Sequence, residues 1–201
     1  MNVRSLVALA ATATMTAFLV VAAPSGVAVA DPGFALSFFS GGHGANAHWS
    51  TQSPPLGVLQ DIVLSNPLPT GDTYTGAWVH GVSGMTMSQV SELSFMIDTD
   101  HYMGAGAPRF SVILSDGVYL YPSAGDCFNA PIQHDTGWQT AEFVSGANPC
   151  EIYGSTGGPE SWSAWTAELG DPTISNLIIV QDEGPASAYL ANVSVNGVIA
   201  N

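Results

Sequence analysis

The feature that most constrains the fold is the regular interruption of short apolar runs by turn-forming residues. After position 33, clusters of Gly, Pro, Ser, Thr, Asn and Asp recur about every ten residues, and the segments between them are rich in β-branched and aromatic side chains. This spacing is typical of an all-β sandwich or barrel. Nine strands in one domain favour two packed sheets over a small barrel. The predicted strands are residues 34–40, 59–65, 76–82, 92–98, 109–115, 118–122, 138–144, 176–182 and 187–197.

One segment, PESWSAWTAELGDP at 159–172, has the pattern of a helix instead. Trp162, Trp165 and Leu169 recur at helical spacing, Ser161 offers a start, and Gly170 offers a stop. Two tryptophans on one side of a helix can form a sugar platform. We expect them instead to pack the helix against the sandwich.

The first thirty residues have the pattern of a removable secretion signal. Arg4 precedes an apolar run at 6–23, and an Ala-Val-Ala sequence at 28–30 supplies the small side chains that signal peptidase accepts. We therefore expect cleavage before Asp31, leaving residues 31–201 as one extracellular domain without a membrane span. An uncleaved membrane anchor is the alternative, because the run is close to the length that crosses a bilayer.

The chain is strongly acidic. It has 16 Asp and Glu against two Lys and Arg, for a formal net charge of −14. Such a surface repels nucleic-acid phosphates and anionic lipid headgroups, so neither is an expected partner. Neutral polymers and cations are compatible with it.

The chain has two cysteines, Cys127 and Cys150. In an exported chain an even count predicts a disulfide, and on the chain-entropy model a loop of this length contributes about 3 kcal/mol. The alternative, a pair of thiolate metal ligands, lacks a C-x-x-C motif or nearby Cys and His residues at ligand spacing.

Arg109 is the single Lys or Arg after Arg4. The run 92–98 ends at Asp98, and the run 109–115 begins at Arg109. If these two runs form an antiparallel hairpin with their apolar faces together, Asp98 lies opposite Arg109. The pattern therefore predicts an Asp98–Arg109 ion pair that sets the register of the hairpin. The alternative is that Arg109 hydrogen-bonds a ligand carboxylate or a sugar hydroxyl.

Two aromatic patterns are candidate ligand sites. In DGVYLYP, Tyr119 and Tyr121 share one strand face, and paired exposed aromatics form surfaces on which sugar rings stack. In GWQTAEF, Trp138 and Glu142 share a face, which suits a stacked and hydrogen-bonded sugar. Both patterns also fit ordinary strands, in which Tyr is common and a Glu faces solvent.

Catalytic and metal-binding patterns are sparse. Glycoside hydrolysis needs two carboxylates across a cleft, and only Glu142 can be placed as one of them. His43 and His48 lie in GGHGANAHW, which predicts a solvated loop rather than a zinc site. We predict no cofactor. The acidic turns at 98–102, 115–117 and 181–184 leave a structural calcium ion as an alternative, although none has EF-hand spacing.

Several short motifs along residues 76–197 resemble a group of uncharacterised secreted bacterial proteins, mostly of actinobacterial type. The motifs are GAGAPRF, GWQT, ESWSAWTAELGDPTISNLIIVQDEG and LANVSVNG, in this order. The group has a jelly-roll-like β-sandwich of the carbohydrate-binding-module kind. The resemblance implies that fold and secretion, and it implies no reaction.

Together the patterns predict an extracellular jelly-roll-like sandwich with one short helix. The function we expect is non-catalytic binding of a glycan or cell-envelope polymer through Tyr119, Tyr121, Trp138, Glu142 and Arg109. Two alternatives stay open: a glycan-active hydrolase with Glu142 as one catalytic carboxylate, and a structural or adhesive envelope protein without a small-molecule site.

Overall fold

The computed structural model describes residues 33–67, 73–101, 106–123, 137–144, 150–183 and 186–201. Within these ranges the chain forms twelve strands, one α-helix (α1, Trp162–Leu169) and two short 3-10 helices, Met87–Gln89 and Thr99–His101. The strands are β1 Ala35–Gly41, β2 Asn46–Ser50, β3 Asp61–Asn66, β4 Tyr74–His80, β5 Leu93–Asp98, β6 Arg109–Leu114, β7 Tyr119–Tyr121, β8 Trp138–Glu142, β9 Tyr153–Gly154, β10 Ile174–Gln181, β11 Ala186–Val195 and β12 Val198–Ile199.

The strands form two antiparallel sheets packed face to face. The first sheet has the order β1-β4-β10-β6-β7-β9, and the second has the order β2-β3-β11-β5-β8 with β12 paired to β11. Consecutive strands repeatedly change sheet, as in a jelly roll. The predicted fold class, an all-β two-sheet sandwich with one short helix, is confirmed.

The core lies between the two sheets and follows from alternation along each strand. The inward residues of the first sheet include Phe110 and Val112, and those of the second include Phe95 and Ile97, all fully buried. Phe95, Phe110 and Phe143 meet at the centre, with ring centroids 5.1–5.4 Å apart. The outward residues of the first sheet carry the candidate site.

All nine predicted strands are present, with ends shifted by one or a few residues. The prediction that GGHGANAHW is a loop is wrong in part, because β2 contains His48 and pairs with β3. The sequence does not predict the two-residue strands β9 and β12, since two residues show no periodicity.

The helix prediction is confirmed, and so is the packing role of its tryptophans. Ser161 caps the start of α1 by accepting a hydrogen bond from the Ala164 amide, and Gly170 ends it with φ of 73°. Trp162 and Trp165 are buried, and the Trp165 indole donates to the Ile152 carbonyl at 2.7 Å. Neither tryptophan can serve as an exposed sugar platform.

The predicted Asp98–Arg109 ion pair is wrong, because β5 and β6 do not form a hairpin. Strand β5 lies in the second sheet between β11 and β8, whereas β6 lies in the first sheet between β10 and β7. Asp98 instead accepts a hydrogen bond from His101 Nδ1 at 2.8 Å, and Arg109 pairs with Asp182.

Two predictions fall outside the described residues. One is the secretion signal at 1–30. The other is the disulfide, because Cys127 is not described; Cys150 is buried, is not a free thiol, and places its Sγ 3.0 Å from the Glu142 carbonyl oxygen. In the part of the chain that is described, no helix is long and apolar enough to cross a bilayer.

Candidate functional site

The site begins with Arg109, which the turn after β10 holds in one orientation. Its guanidinium donates two parallel hydrogen bonds to the Asp182 carboxylate, at 2.7 and 2.6 Å, and a third to the Gly106 carbonyl at 3.1 Å. Glu183 Oε1 lies 3.8 Å from Nη1. A planar fork held by a bidentate carboxylate has little freedom, so Arg109 presents a fixed surface.

Three tyrosines lie beside this arginine on the outward face of the first sheet. Tyr119 and Tyr121 stack side by side, with ring centroids 6.4 Å apart and an interplanar angle of 20°. Tyr121 lies opposite Tyr153 in the β7–β9 register, and its ring centroid is 5.6 Å from the Arg109 guanidinium carbon. We call Tyr119, Tyr121 and Tyr153 the tyrosine cluster.

A shallow cavity of about 300 Å³ opens between the tyrosine cluster and the arginine. Two tyrosine rings line it, together with a carboxylate, a hydroxyl and a guanidinium group. This mixture is typical of small-ligand sites, in which aromatic surface supplies contact area and a few polar groups set orientation. Its lining residues are Gly106, Arg109, Tyr121, Ser123, Tyr153 and Glu183.

A second aromatic group lies on the same face at the opposite edge of the sheet. Phe39 of β1 contacts Trp78 and Tyr74 of β4, with ring centroids 5.6 and 6.2 Å apart. We call Phe39, Tyr74 and Trp78 the edge cluster. Tyr74 and Trp78 are more than one-third exposed, and together they form a contiguous aromatic surface that is open to a ligand or partner.

Two glycines allow the edge cluster to lie close to the sheet. A Cβ at Gly76 would overlap the Phe39 ring and the Ile179 carbonyl oxygen, and a Cβ at Gly41 would overlap the Tyr74 ring. Glycine at these strand positions therefore has a packing reason that strand propensity alone does not supply.

Between the tyrosine cluster and the edge cluster, the outward surface of the sheet is lower than the rings on either side; we call this surface the floor. Ser111 and Val180 face outward in the middle of the sheet, yet they are only 6% and 7% exposed. Larger side chains on both sides rise above them. Strands β4 and β7 are three strand spacings apart in the sheet, so the clusters are separated by about 14 Å. The outward face thus has aromatic groups at two ends of a lower floor.

The candidate site residues that were predicted from the sequence lie on two different sheets. Tyr119, Tyr121 and Arg109 come together on the first sheet. Trp138 and Glu142 lie on the outward face of the second sheet, on the other side of the sandwich, where they are opposite Asp98 and Ser94. The indole of Trp138 donates to the Ser53 carbonyl at 3.1 Å.

Several residues of the site are not among those that the sequence selects. Tyr153 lies in a strand of two residues, and no pattern marks it. Phe39 and Trp78 can be found in principle, because alternation in 34–40 and 76–82 puts each on the face away from the core. Asp182 is visible in the sequence only as part of an acidic turn, since its contact with Arg109 spans 73 positions of the chain.

Comparisons with known proteins show a similarity of fold and no family. No protein-family model matches the chain, and no curated protein matches it. Two solved structures are similar, both family 11 carbohydrate-binding modules from Clostridium thermocellum. One belongs to the cellulosomal cellulase Lic26A-Cel5E, at 15% identity over 83% of this chain and 89% of that chain, with a TM-score of 0.46. The other is in complex with a β-1,3-1,4-mixed-linked tetrasaccharide, at 15% identity over 83% and 91%, with a TM-score of 0.43. At TM-scores below 0.5 this likeness assigns no function to the chain.

Proposed function

We propose that the outward face of the first sheet binds a neutral, linear glycan without chemically changing it. The observation that carries this proposal is the placement of six aromatic side chains on one face, in two groups about 14 Å apart across a lower floor. Flat aromatic rings suit the apolar faces of sugar rings. A ligand that reaches both clusters must be a chain of several sugars lying across the strands.

The charge of the face supports a neutral ligand. Arg109 is already neutralised by Asp182, and Glu183 adds a further negative charge at the rim of the cavity. The chain as a whole carries a formal net charge of −14. A uronic-acid or phosphorylated polymer would therefore meet repulsion, whereas hydroxyl groups can bond both Glu183 and Arg109.

The proposal can be tested by titrating the protein with neutral soluble polysaccharides in a calorimeter. Tyr121→Ala, Tyr153→Ala and Trp78→Ala each remove one ring from the face. We expect each to weaken binding about tenfold, because an aromatic contact of this kind contributes about 1 kcal/mol or more. Loss at Trp78 as well as at Tyr121 identifies a ligand that spans the face.

The matched control is Trp138→Ala, which removes an aromatic ring from the opposite face of the sandwich. We expect it to leave the dissociation constant within about twofold. Binding that is lost in Trp138→Ala and kept in Tyr121→Ala would move the site to the second sheet and contradict the proposal. Absence of any heat with folded protein across the polysaccharides would contradict it as well.

We propose further that the protein works outside the cell. The support is the signal-like pattern of residues 1–30. Mass spectrometry of protein recovered from the culture medium is expected to show a chain that begins at Asp31. A full-length chain found in the membrane fraction would contradict this.

A further inference from the structure

The surface around β2 and β12 differs from the rest of the molecule in its charge. No Asp, Glu, Lys or Arg occurs at 33–60 or at 186–201, although the chain has 16 acidic residues. The two ranges are neighbours in space, because β2 and β11 both pair with β3, and the Leu36 amide of β1 donates to the Asn201 carbonyl at 3.0 Å. Asp61, the residue after the first range, is fully buried. This part of a strongly acidic molecule therefore has no charged side chain of its own at the surface.

Two leucines project from this surface. They lie in residues 51–60, which connect β2 to β3 and which we call the strap. The Val58 amide donates to the Pro55 carbonyl at 3.0 Å and Gly57 has φ of 86°, so the strap contains a β-turn with Leu56 at its tip. Leu56 is fully exposed, and Leu59 is 88% exposed. A turn of defined geometry thus presents an apolar side chain to whatever meets this surface.

A cavity of about 660 Å³ opens beside the strap. Trp49 of β2 and Ile199 of β12, which are 38% and 46% exposed, line it together with Leu59. Among the described residues that line this cavity, none has a charged side chain. A projecting leucine and an uncharged hollow therefore lie next to each other on one surface. Exposed apolar residues that are grouped in this way mark an interaction surface.

We propose that this surface is the contact between two copies of the chain, arranged about a two-fold axis. Each copy carries both the projecting Leu56 and the hollow beside it, so a two-fold rotation can place the leucine of each copy against the hollow of the other. The centres of protein contacts are poor in charged residues and rich in aromatic residues, which fits Trp49. The proposal does not depend on glycan binding, because the strap connects strands of the second sheet and the glycan-binding face belongs to the first.

The charge of the chain is the reason for choosing a second copy as the partner. The formal net charge is −14, so two copies repel each other, and carboxylates that face each other across a contact are unfavourable. At the strap both copies present uncharged side chains, so a contact there opposes no carboxylates. A basic protein would bind the acidic remainder of the surface more favourably, and an anionic membrane would be repelled by the net charge.

The test measures the molar mass of the purified protein by sedimentation equilibrium. We expect a monomer–dimer equilibrium with a dissociation constant of about 10⁻⁶–10⁻⁴ M, which tightens as added salt screens the repulsion between the acidic copies. Leu56→Asp and Leu59→Asp each put a carboxylate of both copies into the contact and should weaken the dimer about tenfold or more. Thr140→Asp is the control, because it adds the same charge at an exposed position of β8, on the opposite edge of the second sheet, and should leave the dimer unchanged.

Hydrogen exchange locates the contact without any variant. Protection of the amides at 54–59 and 198–200 should increase between dilute and concentrated wild-type protein. A wild-type protein that stays monomeric at about 10⁻³ M would overturn the proposal and leave the surface to a different partner. A dimer that both leucine variants retain, with unchanged protection at the strap, would place the contact elsewhere. Masses that grow beyond the dimer would contradict the two-fold arrangement, because a head-to-tail contact does not close at two copies.

Discussion

Arg109 and Asp182 form a bidentate ion pair that joins strand β6 to the turn after β10, with N–O distances of 2.7 and 2.6 Å. Both side chains are less than one-third exposed. The pair lies on the same face as the tyrosine cluster, and the guanidinium is packed near the Tyr121 ring. One interaction therefore stabilises the sheet and orients a polar group of the candidate site.

Replacement of Asp182 by Asn should test the stabilising part of this role. The change leaves the Arg109 charge half-buried without its bidentate partner, so we expect the free energy of unfolding to fall by about 1–2 kcal/mol. Urea unfolding at unchanged m-value measures it. Glu151→Gln, an exposed acid elsewhere, should change stability by less than about 0.5 kcal/mol. Equal stability of the two variants would show that the pair contributes nothing.

The ion pair also shows which part of the fold can be predicted from the sequence. Alternation in 92–98 and 109–115 correctly assigns the inward residues, because burial of one face imposes a period of two. Alternation does not say which sheet a strand joins. The pairing of β6 with β10 places Arg109 beside Asp182, which lies 73 positions later in the chain, whereas a hairpin between neighbouring runs would have selected Asp98.

Only those residues of the candidate site that lie in runs of alternating apolar and polar residues can be predicted from the sequence. Tyr119 and Tyr121 can be found because both lie in one such run. The sequence prediction grouped Trp138 with the two tyrosines, because alternation shows only which residues of one strand share a face. In the structure Trp138 lies on the second sheet and the tyrosines lie on the first. Tyr153 cannot be found, since its two-residue strand exists only through pairing with β7.

Gly76 is expected to be intolerant of any side chain. In Gly76→Ala the new methyl group overlaps the Phe39 ring and the Ile179 carbonyl oxygen of the neighbouring strand. We expect a loss of about 2–3 kcal/mol in the free energy of unfolding, together with weaker glycan binding as Phe39 is displaced. Gly33→Ala is the control, because a methyl group there would meet no atom within 4 Å, and it should be neutral. A neutral Gly76→Ala would contradict the close packing of the edge cluster.

Trp165 should contribute to the stability of the fold and not to glycan binding. Trp165→Phe removes part of a buried ring and leaves the Ile152 carbonyl without its indole donor. We expect a loss of about 2–3 kcal/mol, measured by thermal or urea unfolding. The exposed Tyr119→Ala should show the reverse, with a small change in stability and a clear loss of glycan affinity. Loss of affinity in folded Trp165→Phe at low temperature would contradict this separation.

The last prediction concerns acid stability and Asp171. This residue has φ of 58°, and its carboxylate accepts hydrogen bonds from the Ser88 amide at 2.8 Å and the Ser88 hydroxyl at 2.7 Å. These bonds, with the side-chain bond first, hold the pKa of Asp171 below its ordinary value of 3.8. Because the folded pKa is depressed, the stabilisation is fully present above the unfolded pKa and is lost as pH falls through the folded pKa.

Asp171→Asn should therefore be less stable than the wild-type protein at about pH 6, and the difference should shrink towards about pH 2.5. Asn tolerates a positive φ, so the change tests the charge and leaves the backbone unstrained. Urea midpoints across this pH range measure the difference, and Ser88→Ala should reproduce it because it removes the hydroxyl donor. A difference that stays constant through the acid range would show that the Ser88 bonds do not depend on the ionised carboxylate.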